Sequence, residues 1–166
     1  MKFKMIKIGK INRKEIINLV ADYEKRLRTL INIETFEYKD HPPAESSNTG
    51  TNKSTKKIKK DPLQIIKEFK KIPGDFMVIL DERGKNLSSL ELANFIKKKT
   101  EDPLVKSISF VIGGAYGVGE SARTEADFIW SLSNAVLPNE IAWLIAWEQI
   151  YRAHSIIQGT PYHHDN

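Results

Sequence analysis

The chain has 166 residues, of which 40% are hydrophobic, and its formal net charge is +5 at pH 7. This length suits a single domain over residues 1–166 with a core of its own, and it is too short for two. The absence of cysteine excludes disulfides and thiolate-bound zinc, and it favours a reducing compartment. No window holds the roughly 20 apolar residues of a membrane span, and no signal peptide begins the chain. We therefore expect a cytoplasmic protein with no membrane partner.

The first 39 residues have the pattern strand, helix, strand. Residues 2–8 alternate lysine with apolar side chains, which predicts a strand. Asn12, followed three positions later by Glu15, is typical of a helix start, and apolar residues then recur at helical spacing. Residues 31–39 alternate again and predict a second strand. The beginning of a βαβ unit is indicated.

Residues 41–60 consist mainly of Pro, Ser, Asn, Thr, Gly and Lys. Such a composition predicts a mobile, lysine-rich loop rather than a domain boundary, because the part that precedes it is too small to fold alone. Its lysines indicate either a solvated surface or a contact with nucleic acid.

The rest of the chain alternates helical and buried-strand patterns. Asp61 and Pro62 predict a helix start, and Ser88 predicts another. Residues 75–81 and 107–112 are apolar runs typical of strands covered on both faces. We expect residues 120–130 to be helical, and a last helix to follow from about Glu140 to Gln158 with Asn139 as its cap. Alternating strands and helices predict a parallel α/β architecture.

The last helix carries apolar residues on two opposite faces. One face holds Trp143, Trp147, Ile150, Tyr151, His154 and Ile157, and the other holds Ile141 and Ile145. A helix that is apolar on both sides is covered on both sides, so we predict a homodimer through this helix. The alternative is an amphipathic helix with a few exposed aromatic residues.

Four glycines lie between Gly113 and Gly119, and Gly117, Gly119 and Ala122 fit the dinucleotide-binding spacing G-x-G-x-x-G/A. That fingerprint also needs an acidic residue at the tip of a second strand about 20 positions later. Residues 131–140 contain no such strand. A nucleotide-dependent oxidoreductase is therefore a weak alternative.

Four stretches in this order carry a family resemblance: "VILDERGKNLSSLELANFI", "FVIGGAYGVGESARTEADFIWSLS", "LPNEIAWLIAWEQIYRAHSII" and "GTPYHHDN". Together they resemble the RlmH family of the SPOUT superfamily, over nearly the whole chain outside residues 41–60. The resemblance implies a parallel sheet flanked by helices with a deep C-terminal trefoil knot. It also implies a dimeric enzyme that uses S-adenosylmethionine to methylate N3 of a pseudouridine in 23S ribosomal RNA. The RNA partner is either free large-subunit rRNA or the assembled ribosome.

The resemblance also implies roles for individual residues, and no metal among them. The methyl donor would be held by the strand end before the "DERGK" stretch, the double glycine and the loop after the next strand: Leu80, Gly113, Gly114, Ser131, Leu132, Ser133, Asn134, Ala135 and Val136. Four residues match catalytic positions: His163, Arg152, Tyr162 and Tyr151. His163 is the best base candidate, because its unperturbed pKa lies near neutrality. Arg152 would bind a phosphate or the base anion, and Tyr162 would stack on the base.

Two positions depart from the family's usual residues. Where relatives usually carry histidine and arginine, this chain has Asn139 and Trp143. Asn139 can still cap the last helix, whereas Trp143 removes a cation that could contact phosphate or a partner. This motivates an alternative function, a non-catalytic RNA- or ribosome-binding module that keeps the fold.

Overall fold

A computed structural model describes residues 1–39 and 61–162. The loop predicted over 41–60 and the candidate base His163 lie outside the described residues. The described elements run in this order: β1 Lys2–Ile8, α1 Lys14–Arg28, β2 Asn32–Tyr38, α2 Pro62–Lys70, β3 Asp75–Asn86, α3 Ser89–Glu101, β4 Ser107–Ile112, α4 Glu120–Arg123, β5 Phe128–Ser131 and α5 Asn139–Gln158.

The described strands form one parallel sheet in the order β2-β1-β4-β3-β5. Helices α1, α3 and α5 pack on one face around Phe110, Trp143 and Trp147. Helices α2 and α4 cover the other face, where Ile65 and Met77 belong to a second apolar cluster. Every residue of β4 is buried, as expected for a central strand of a parallel sheet covered on both sides. The predicted parallel α/β architecture is confirmed.

Helix starts follow the sequence signals in the middle of the chain. The Asp61 side chain accepts a hydrogen bond from the Leu63 N–H (3.4 Å) at the start of α2. Ser88 and Glu91 form a capping box at the start of α3, with bonds of 3.2 and 2.7 Å. These two predicted starts are confirmed.

The starts of the first and last helices differ from the prediction by one residue. Arg13 is the N-cap of α1, and Pro138 is the N-cap of α5, which makes Asn139 the first helical residue. Asn12 is engaged elsewhere, because its backbone N–H donates to Glu140 Oε1 at 2.6 Å. This bond joins the β1–α1 connection to the first turn of α5.

The helix predicted over residues 120–130 is confirmed for residues 120–123 and is wrong beyond them. Helix α4 ends at Arg123, and Phe128–Ser131 form the edge strand β5. Asp127 explains why the chain turns from helix to strand. Its N–H donates to the Met77 carbonyl (2.9 Å), and its carboxylate accepts the Met77 N–H (2.7 Å). These long-range bonds to β3 direct the next residues into the sheet.

Helix α5 lies between α1 and α3 on one face of the sheet. Trp143 is 1% exposed, and its ring packs edge-on against Trp147 with centroids 5.8 Å apart. Trp143, at the position where the resemblance implies a cation, therefore lies in the core and not on the surface of the chain. Across the described ranges, no helix combines the length and apolarity needed to cross a membrane.

Candidate active site

A cleft of about 680 Å³ lies where the parallel strands end at their carboxyl edge. Open α/β sheets bind ligands at this edge, because loops from several strands meet there. The cleft is lined by most of the residues that the resemblance assigned to the methyl donor: Leu80, Gly113, Gly114, Leu132, Ser133, Ala135 and Val136.

The glycine run forms a tight turn in the wall of this cleft. The Gly117 N–H donates to the Gly114 carbonyl at 3.0 Å, and Gly117 has a φ of 69°. A Cβ on Gly113 would lie 2.5 Å from the carbonyl carbon of Gly117, so only glycine fits there. The chain folds back on itself and then enters a helix of four residues, Glu120–Arg123. This geometry disfavours the dinucleotide-binding alternative, which needs a long helix after the glycines.

Serine side chains shape the loop after β5. Ser131 is buried and its hydroxyl donates to the Ser133 carbonyl, while the Ser133 hydroxyl accepts the Ala135 N–H, both at 2.9 Å. Ser131 and the exposed Asn134 are not among the residues that line the cleft. In this geometry the buried Ser131 stabilises the loop through its hydrogen bond and does not line the cleft, whereas Ser133 both stabilises the loop and lines the cleft.

The cleft also contains charged side chains that the sequence reasoning missed. Arg123 donates to Asp81 Oδ2 at 3.1 Å and also binds Glu120. The hydrogen bond that Arg123 donates to Glu120 is the main cause that raises the pKa of Arg123, against the opposing effect of burial. Asp81 also accepts the backbone N–H of Arg83 at 3.0 Å. The spacing of Glu120 and Arg123 could have predicted their pairing, but nothing local indicated that Asp81 joins them.

A second group of side chains, three tyrosines and two charged residues, lies near the carboxyl end of α5. We call it the tail cluster: Tyr23, Glu148, Tyr151, Arg152 and Tyr162. Glu148 Oε1 accepts bonds from Arg152 at 2.9 and 2.6 Å and from the Tyr162 hydroxyl at 3.3 Å. The ring of Tyr162 lies 4.7 Å from that of Tyr151 and 4.8 Å from the Arg152 guanidinium. Glu148 and Arg152 therefore form an ion pair four residues apart on one face of α5.

Two side chains of the tail cluster, Arg152 and Tyr162, keep their protons at neutral pH. The hydrogen bond to Glu148 is the main cause that raises the pKa of Arg152. Burial is the main cause that raises the pKa of Tyr162, and its hydrogen bond with Tyr23 acts in the same direction. A permanent cation and a neutral phenol can bind and orient an anionic or heterocyclic group.

The cleft and the tail cluster are separate within one chain. Ala142, in the first turns of α5, lines the cleft, and Arg152 follows ten residues later on the same helix. At 1.5 Å per residue the two lie about 15 Å apart along the helix axis. Among the described residues, those that line the cleft include no member of the tail cluster. The structure thus brings together most of the predicted donor residues, without Ser131 and Asn134, and it does not bring Tyr151, Arg152 and Tyr162 to them.

Comparisons with known proteins show which family the chain is similar to. The family model described as "Predicted SPOUT methyltransferase" matches residues 1–163. A protein of Carboxydothermus hydrogenoformans named "Ribosomal RNA large subunit methyltransferase H" is 36% identical over 163 residues, covering 98% of this chain and 99% of that protein. A Bacteroides thetaiotaomicron protein of the same name is 35% identical over 165 residues, covering 99% and 100%.

Among solved structures, a probable methylase family protein from Haemophilus influenzae aligns with a TM-score of 0.51. It covers 98% of this chain and 70% of its own, at 9% sequence identity. This likeness concerns the fold alone.

Proposed function

The chain belongs to the SPOUT methyltransferase family, and on that premise we propose that it transfers a methyl group from S-adenosylmethionine to large-subunit ribosomal RNA. Full-length relatives that carry the name of a large-subunit rRNA methyltransferase support this substrate. The observation that carries the proposal is the glycine-walled cleft at the carboxyl edge of the sheet, which gathers Leu80, Gly113, Gly114 and the loop after β5. Because its proposed substrate is ribosomal, we place the protein in the cytoplasm.

The residues of the cleft fit an adenosyl donor. Its volume of about 680 Å³ lies in the range of small-molecule sites. Ile112, Trp130 and Leu132 supply apolar wall, and the Gly113–Gly114 backbone can approach a ligand closely because it has no side chain. Loop backbone groups around Ser133 can recognise adenine without charged side chains. When bound, the donor supplies an electrophilic methyl group on a sulfonium.

The tail cluster fits the acceptor side of the reaction. We propose N3 of a pseudouridine as the acceptor, a weakly acidic imide nitrogen that must lose its proton before it attacks. Arg152, a permanent cation, would stabilise the resulting anion or bind a neighbouring phosphate. Tyr162 and Tyr151 would orient the base, and His163 would accept the proton. The pairing of Arg152 with Glu148 would hold the guanidinium in place while it acts.

A homodimer through α5 would join the two halves of the site. If a two-fold axis crosses the helix, the amino-terminal half of α5 in one protomer lies beside the carboxyl-terminal half in the other. The cleft of one protomer would then meet the tail cluster of its partner. The partly buried Ile141 and Ile145 on α5 offer an apolar surface for this contact.

We also propose the C-terminal knot. Trp130 of β5 pairs with both Leu80 and Lys85 of β3, so the register of this strand pair shifts across residues 81–84. A Cβ on Gly84 would lie 2.5 Å from the Ile129 carbonyl oxygen, so β3 passes very close to β5 at this point. The proposal rests on membership of the SPOUT family, for which the resemblance implies a knot, together with this close contact between β3 and β5.

The test of the proposed function is transfer of labelled methyl groups from S-adenosylmethionine to ribosomes that lack this modification. We expect label in large-subunit RNA with wild-type protein, and a loss of at least about 100-fold in rate with His163→Ala, the size of a general acid–base contribution. Donor binding by calorimetry is the control and should be unchanged in that variant. Absence of label with donor binding intact would favour the non-catalytic alternative. The position of Trp143 in the core removes one of the two observations that motivated that alternative, and Asn139, the other, lines the cleft.

A further inference from the structure

Tyr116 is an aromatic residue of the cleft to which the proposed chemistry gives no role. It lies at the tip of the glycine turn, lines the cleft and is 61% exposed. Tyr23, Tyr151 and Tyr162 all make ring contacts, whereas the Tyr116 ring has none with an aromatic ring in the described ranges. Keeping a large aromatic side chain exposed has no packing benefit, so an exposed ring at a ligand site indicates a contact with the ligand.

The turn holds the Tyr116 backbone in a fixed position. The bond between the Gly117 N–H and the Gly114 carbonyl closes the turn on either side of Ala115 and Tyr116. The close approach of Gly113 to the Gly117 backbone leaves no room for the turn to shift inward. The backbone that carries the ring is therefore held in place at the cleft. Little conformational entropy is then lost when a planar ligand stacks on the ring.

Two further exposed side chains line the same cleft. Val136 is 78% exposed and offers apolar surface. Arg83 is exposed, and its side chain forms no ion pair with residues 1–39 or 61–162. An aromatic ring with a free cation nearby is the combination that binds single-stranded nucleic acid, through base stacking and phosphate contact.

We propose that Tyr116 is a stacking platform for an unstacked nucleobase of the RNA substrate, with Arg83 contacting an adjacent phosphate. The inference rests on the proposed RNA methyltransferase function, and it adds a residue that binds RNA next to the donor. A base can reach a methyl donor inside a cleft only after it leaves its stack, and the lost stacking is then replaced by an aromatic side chain. Tyr116 supplies that ring at the point of entry.

The experiment measures equilibrium binding of large-subunit RNA, which needs no turnover, beside steady-state methyl transfer. We expect Tyr116→Ala to weaken RNA binding and raise the KM for RNA by about tenfold or more, the usual effect of losing one stacked base. Tyr116→Phe and Tyr116→Trp keep a ring and should stay close to wild type in both. The affinity for S-adenosylmethionine should be the same in all four proteins. Leu104→Ala is the matched control, because Leu104 is 80% exposed and does not line the cleft.

Three results would overturn the proposal. One is RNA affinity in Tyr116→Ala equal to wild type, and another is a loss of donor affinity in that variant, which would make Tyr116 a wall of the donor site. The third is a change in its oligomeric mass by light scattering, which would make the ring an interface residue. If the wild-type protein binds RNA through Tyr116 and transfers no methyl group, the proposed function is contradicted. The proposal that Tyr116 stacks on a base is then still supported.

Discussion

His154 is a buried histidine that stays neutral. It is 6% exposed, its ring packs edge-on against Phe3 at 4.9 Å, and its Nε2 has no hydrogen-bond partner in the described parts of the chain. Burial lowers the pKa of His154 to about 4 from its ordinary value of 6.5. Between these two values the unfolded chain binds the proton and the folded chain does not. The stability that depends on neutral His154 is therefore complete above pH 6.5 and is lost as the pH falls towards 4.

We predict that His154→Phe is less sensitive to acid than the wild type. From pH 7 to pH 4.5, the free energy of unfolding should fall by about 2–3 kcal/mol more in the wild type than in the variant. Urea denaturation of both proteins at the two pH values measures this difference, and the other titrating groups act equally on both. An identical fall in the two proteins would mean that His154 is solvated or already protonated in the folded state.

At the scale of elements, a buried ion pair joins three neighbouring strands of the sheet. Lys4 of β1 donates to Asp75 of β3 at 2.8 Å, and both side chains are nearly inaccessible. Asp75 also accepts bonds from Ser107 and Ser109 of β4. These donors satisfy the carboxylate, and the cation lies over the Phe69 ring at 5.7 Å. The network fixes the register at the amino end of β1, β4 and β3.

We predict that Asp75→Asn is strongly destabilising, because it leaves the buried Lys4 ammonium without its counter-charge. The free energy of unfolding should fall by about 3–5 kcal/mol. The double variant Lys4→Met with Asp75→Asn should regain part of this loss, since it removes the unpaired charge. The control is Lys2→Met, which breaks an exposed pair with Glu34 and should cost less than about 1 kcal/mol. Equal losses in the Asp75→Asn and Lys2→Met variants would contradict the assigned role of burial.

Helices and strands whose signals are local could be predicted from the sequence. Segments whose conformation depends on contacts with residues far away in the chain could not. Capping residues such as Asp61 and Ser88 act within one turn, so their helices were predicted with nearly correct starts. Phe128–Ser131 follow a helical pattern in the sequence, yet Asp127 binds Met77, 50 residues earlier, and directs them into β5. The residues proposed to hold the donor come from the family resemblance, whereas the pairing of Asp81 in β3 with Arg123 in α4 joins positions 42 residues apart.

At the scale of the whole molecule, the distribution of site residues along α5 predicts an enzyme whose site is completed by a second copy. The amino end of α5 contributes to the cleft, and its carboxyl end carries Arg152 and the contacts that hold Tyr162. A helix of 20 residues keeps these ends apart, since an α-helix is stiff over about 30 Å. Bending within one chain therefore cannot close the gap. Antiparallel packing of two such helices does so without any change in the protomer.

Mixed dimers test this arrangement directly. Gly113→Val places a side chain against the Gly117 backbone and should abolish donor binding, and Arg152→Ala removes the cation of the tail cluster. We expect both homodimers to be inactive. A mixed dimer, isolated with two different affinity tags, combines an intact cleft from one protomer with an intact tail cluster from the other. It should recover about half of the wild-type rate, because one of its two symmetric sites is whole.

The outcome depends on which protomer completes the site, and it does not depend on the strength of either substitution. If each chain used its own tail cluster, every site in the mixed dimer would carry one defect, and no rate would return. Val136→Arg is a second cleft variant for the same experiment, because this exposed position tolerates a large side chain without disturbing the core. Thermal melts of each variant establish that the protomers are folded before mixing. Recovery with both cleft variants would assign the catalytic residues to the partner, and absence of recovery with both would place Arg152 and the cleft in the same protomer.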